Sequence, residues 1–151
     1  MSRPHAPRAR SFARDDDAQS LVEFAFILPI VLLAILGLLD VSRAVWQETT
    51  LAFAAREGTR YGIVHGSSSL SPVAYCPGSC SPVAVVAAVQ NAAVGVPNIT
   101  VTVTFPDGNN DRNGRVSVTA MAPFVPLASQ FLLNGALSVT MRGASQLVIE
   151  N

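Results

Sequence analysis

Leu21-Val-Glu-Phe-Ala-Phe-Ile-Leu-Pro-Ile-Val-Leu-Leu-Ala-Ile-Leu-Gly-Leu-Leu39 carries a single charge, Glu23, and a single proline, Pro29. As a helix it would run about 28 Å, close to the hydrocarbon thickness of a bilayer. Twelve of the sixteen residues from Phe24 to Leu39 are Phe, Ile, Leu or Val. Each favours the membrane by roughly 0.3–0.6 kcal/mol, which together outweighs a cost of about 3 kcal/mol for a carboxylate near one end. The stretch reads as a transmembrane helix, and Glu23 inside it asks for a reason.

Working outward, Arg3, Arg8, Arg10 and Arg14 precede the span, whereas only Arg43 and Arg56 follow within about twenty residues. The short N-terminal side is therefore expected in the cytoplasm and the remainder outside. Residues 1–18 are rich in Arg, Ala and Asp and read as a disordered cytoplasmic leader. The order of basic then apolar residues is that of a secretory signal. The apolar run is too long for one, however, and no small-x-small cleavage site follows. Ten acidic residues balance ten basic ones, all arginine. A zero net charge argues against a general nucleic-acid binder, which needs a basic patch for phosphates.

Beyond the span, residues 40–64 keep a helical pattern, so residues 19–64 form one extended helix with an amphipathic second half. Val41, Ala44, Val45, Glu48, Ala52, Ala55 and Thr59 recur at helical spacing and form a narrow, small-residue face, expected to pack on the domain. Asp40 with Arg43, and Glu57 with Arg60, are spaced to pair. Residues 65–151 read as an exterior domain. Residues 66–81 are a loop, and Ser81-Pro82 offers an N-cap and a first-turn proline for a helix over Val83–Val94. Ile99–Phe105 and Arg115–Met121 alternate strictly around a turn segment, which predicts an antiparallel hairpin. Phe124–Leu133 reads as a short connecting helix or apolar loop. Leu137–Ile149 reads as a last strand, bulged at Gly143. The fold class is α+β: a long N-terminal helix, then a small antiparallel sheet covered by helices.

Cys76-Pro-Gly-Ser-Cys80 is a lone close pair on the side where oxidation is permitted, so a disulfide is expected. Half of a zinc site is the rival reading, and it lacks two ligands. In the hairpin turn, Asn109, Asp111 and Asn113 followed by Gly114 match the first half of a calcium loop, but Ala120 stands where its last carboxylate belongs. The same residues suit a plain long turn, which is the preferred reading. No other metal and no cofactor is expected. His65 has no carboxylate beside it in sequence and reads as solvated, and His5 lies in the leader. With no nucleophile or acid–base set, the chain reads as a non-enzyme.

Ala18-Gln-Ser-Leu-Val-Glu-Phe-Ala-Phe-Ile-Leu-Pro29, Gly37-Leu-Leu-Asp-Val-Ser-Arg43 and Ala54-Ala-Arg-Glu-Gly-Thr-Arg-Tyr-Gly62 together resemble the TadE-like family. These are minor pilins or pseudopilins of bacterial tight-adherence pili. The resemblance covers residues 18–62. It implies a pilin-like fold, a place in the bacterial inner membrane, and partners among other pilins and pilus-assembly proteins. It also implies cutting by a prepilin peptidase between Ala18 and Gln19, with Ala18 in the place of the usual glycine. After such a cut, Glu23 could pair with the new amine of Gln19 in a neighbouring subunit, compensating two charges in the bilayer. Pro29 would break or kink the helix. The runner-up is a single-pass anchored extracytoplasmic binding module that takes no part in a pilus.

Overall fold

The computed structural model describes residues 13–132 and 134–150. Most of the expected leader, residues 1–12, lies outside them. Helix α1 spans Ala13–Val64, so it begins within that leader, ahead of the apolar run. It passes Pro29 without a break. The proline removes one backbone hydrogen bond, which does not end the helix here.

The chain divides into two compact units after Leu38. In the first, the bulky side chains of α1 are exposed all round: Leu21, Phe24, Phe26, Ile30 and Leu38 each by 61–72%.

The second unit contains the rest of α1, then β1 (Ser79–Cys80), α2 (Val83–Ala92), β2 (Thr100–Thr104), β3 (Arg115–Phe124), α3 (Leu127–Leu132) and β4 (Val139–Val148). The strands form one antiparallel sheet in the order β1-β2-β3-β4. Strict alternation decides its faces. Val101, Val103, Val116, Val118, Ala120, Ala122 and Phe124 are buried. Thr102, Thr104, Ser117 and Thr119 lie half-buried on the opposite face, with Thr100 and Arg115 exposed there. The helices therefore cover a single face, against which α2 sends Val85 and Val89. Each valine removed from water in this way stabilises the fold by roughly 1.5–3 kcal/mol.

The buried face of α1 differs from the expected one. It consists of Asp40, Gln47, Leu51, Ala54, Ala55, Gly58, Thr59 and Gly62, whereas Val41, Val45 and Glu48 are exposed and Ala44 and Ala52 half-buried. Only Ala55 and Thr59 of the expected set are fully buried. Close approach to the sheet selects this face. A Cβ on Gly58 would collide with the side chain of Val89 and press Val118 at 3.2 Å. Small residues win over valines because they let the helix axis come nearer the sheet.

Gly143 answers to the same approach. The β3–β4 ladder runs unbroken from Arg115↔Val148 to Phe124↔Val139 and pairs Ala120 with Gly143, so no bulge occurs. A Cβ at Gly143 would strike the α1 backbone at Leu51 and Ala52. The glycine is where helix and strand backbones meet. Ser81 likewise departs from expectation. Pro82 occupies the N-cap of α2 with no side-chain hydrogen bond there. The Ser81 hydroxyl instead donates to the Val101 carbonyl at 2.6 Å. Residues 66–81 are not wholly loop, because Ser79 and Cys80 pair with Thr104 and Val103.

Candidate functional site

The site proposed from sequence begins at the start of the apolar run. Ala18, Gln19 and Glu23 all lie on α1 and are exposed. Gln19 and Glu23 are four residues apart and so share one helix face. Among the described residues, Glu23 has no ion pair and no side-chain hydrogen bond. It is followed by a helix that is long and apolar enough to cross a membrane. Isolated bulky apolar side chains on a helix surface are commonplace, whereas a sleeve of them on every side of five turns suits apolar surroundings such as a bilayer. A carboxylate at the head of such a sleeve is costly without a counter-charge.

Just past the run, Asp40 does something that local spacing did not reveal. Its carboxylate accepts hydrogen bonds from the backbone N–H of Leu127 at 2.8 Å and of Ala128 at 3.2 Å. These are first-turn donors of α3, which have no partner within their own helix. Asp40 therefore caps a helix almost ninety residues away, while the expected contact with Arg43 is made at 3.7 Å. The Arg43 guanidinium lies 5.6 Å from the centre of the Phe124 ring. Gln47 donates to the Pro123 carbonyl at 3.2 Å. These ties fix α1 to the corner between β3 and α3. The available signal was an acidic residue directly ending an apolar run.

The Ala54–Gly62 motif now has a physical meaning. Ala54, Ala55, Gly58, Thr59 and Gly62 face the sheet, while Arg56 and Arg60 point away. Arg60 makes the expected pair with Glu57, 3.2 Å apart on the surface. The Thr59 hydroxyl, buried, donates to Ala55 and also reaches the Ser145 carbonyl of β4 at 3.3 Å. The motif is the docking surface of the helix on its own domain.

Cys76 and Cys80 are at disulfide-bonding distance, with Cα atoms 6.3 Å apart. In the hairpin turn, Asn109 Oδ1 accepts from the Asp111 N–H at 3.3 Å, and Asp111 Oδ1 accepts from the Ser67 hydroxyl at 2.9 Å. Asn113 takes a positive φ of 68° and donates its N–H to the Ile149 carbonyl. The calcium candidates thus have their oxygens or backbone engaged within the turn and its neighbours. Arg115 closes the turn by gripping both carboxylate oxygens of Asp107, the shortest contact being 2.6 Å. That side-chain hydrogen bonding holds the Asp107 carboxyl below its ordinary value of 3.8 and raises the guanidinium of Arg115. His65, read from sequence as solvated, is half-buried and stacks on Tyr61 with ring centres 4.0 Å apart.

A helix able to cross a membrane, followed by an α+β domain docked through small residues, is the class of protein that this fold defines. Residues 18–60 match the family described as TadE-like protein, in agreement with the resemblance carried by the motifs. No curated protein and no solved structure matches the chain.

Proposed function

We propose that this chain is a TadE-like minor pilin or pilus-assembly protein of a tight-adherence pilus, held in the bacterial inner membrane by residues 21–39 with the domain outside. It performs no catalysis. The observation that carries the reading is Glu23: a carboxylate with no partner among the described residues, heading an exposed apolar helix inside the stretch that matches the family. Within the bilayer, such a charge calls for an opposite one from a neighbouring subunit. A new amine at Gln19, left by prepilin-peptidase cleavage after Ala18, has the right sign and lies on the right face.

The test compares Glu23→Gln with the unchanged chain, both in membranes at matched levels. Removing one member of a desolvated pair costs about 3–5 kcal/mol. Insertion should be retained, whereas co-purification of pilus partners should fall sharply, with Glu23→Asp intermediate. Equal recovery from both chains would remove the role given to the carboxylate. The second reading, a single-pass anchored binding module, draws on the family match ending at residue 60. N-terminal sequencing separates the two, since a mature start at Gln19 belongs only to the pilin reading.

A further inference from the structure

The two edges of the sheet are unlike. On one side, β2 is covered by β1, which the Cys76–Cys80 pair holds in place, and the Ser81 hydroxyl engages its Val101 carbonyl. On the other side, β4 is a ten-residue strand with no neighbour beyond β3. Its sequence contains no proline or lysine, and its ladder has no bulge, so the single charge of Arg142 is the one usual guard of an exposed edge that it carries.

The register tells which backbone groups of β4 are open. Ile149 donates to the Gly114 carbonyl at 2.7 Å, immediately before the Arg115↔Val148 pair. Bonded and non-bonded pairs alternate along an antiparallel ladder. Val139, Met141, Gly143, Ser145 and Leu147 therefore direct their N–H and C=O groups to β3. Those of Thr140, Arg142, Ala144, Gln146 and Val148 point outward, and all five residues are exposed. No hydrogen bond elsewhere in the described residues uses them. Beside this row, Val139 and Leu147 remain 54% and 40% exposed. Arg142 is the strand's single charge and has no ion-pair partner among the described residues.

We propose that the free edge of β4 takes up an extended segment of a different polypeptide, which adds as an antiparallel fifth strand. The segment is apolar on the side shared with Val139 and Leu147, and carries a carboxylate against Arg142. Backbone bonds to five outward residues supply affinity, and the alternate side chains supply selectivity. A second copy of this chain is a poor occupant. Its β4 has Arg142 as its one charged residue, so a second β4 brings no carboxylate to set against Arg142.

The test uses the full-length protein in lipid nanodiscs and a synthetic peptide of alternating valine and threonine with one threonine replaced by aspartate. Amide exchange at Thr140, Arg142, Ala144, Gln146 and Val148 should slow at least about tenfold when the peptide is added. Ala144→Pro should abolish that slowing while protection of Val116 to Ala122 persists, because its outward N–H plays no part in the ladder. Should Ala144→Pro disturb the core, Arg142→Glu decides instead: it should weaken this peptide and favour one carrying lysine in place of aspartate. Unchanged exchange at saturating peptide overturns the proposal. Protection already present without peptide and rising with protein concentration assigns the edge to a second copy, and also overturns it.

Discussion

Two lengths of the same helix solve opposite problems with opposite residues. From Leu21 to Leu38, α1 displays Leu, Ile, Phe and Val on every side. From Asp40 to Gly62, it turns Ala, Gly, Thr and one Leu toward a sheet and leaves Val41, Val45 and Trp46 outside. Bulk suits fluid surroundings that adapt to the helix, such as the bilayer that this length could cross. Smallness serves where the opposing surface is rigid and already close-packed. The difference shows that hydrophobicity alone does not say which face of a helix is buried, because fit to the opposing backbone can outweigh the area gained.

Glycine-to-valine changes, one on the strand facing the docked length and one within the exposed length, test this contrast most severely. Gly143→Val drives a side chain into the α1 backbone at Leu51 and Ala52. We expect a loss of about 3 kcal/mol or more in the stability of the domain, read by urea unfolding. Gly37→Val meets nothing within 4 Å. In the same measurement it should change stability by less than about 0.5 kcal/mol. Equal effects at the two sites would mean that the α1–β4 approach is not what stabilises the domain.

A smaller effect is expected at the border between the two lengths. Asp40→Ala leaves the first N–H groups of α3 without their acceptor, at a cost of about 1–2 kcal/mol. Asp40→Asn, which keeps one oxygen acceptor, should recover part of it. Exchange at the Leu127 and Ala128 amides reports the cap directly. If those amides exchange no faster in Asp40→Ala, the long-range cap contributes nothing.

The smallest effect belongs to the exposed ion pair of the hairpin turn. Asp107 has a lowered folded pKa, so its ion pair with Arg115 adds stability above the ordinary carboxylate value and loses it as pH falls through the lowered one. Arg115→Ala should raise the Asp107 titration midpoint toward 3.8, observed by carboxyl NMR. It should leave the Leu127 and Ala128 amides unaffected, since both partners are surface groups screened by solvent.

Much of this architecture was legible in the chain itself. A nineteen-residue, mostly apolar stretch with one charge announces a helix long enough to cross a bilayer. The alternation around Asp107–Gly114 announces two paired strands, which the structure extends at Phe124 and trims at Ile99. These signals are local, being carried by period and composition within a single element. The buried face of α1, the cap supplied by Asp40, the two-residue β1, the hydroxyl contact of Ser81 and the reason for Gly143 were not legible. Each depends on which distant backbone comes within a few ångströms of which side chain. Glycines at 58 and 62, read locally, look like weak points in a helix. Only the sheet lying against them makes them the residues that allow the helix to dock.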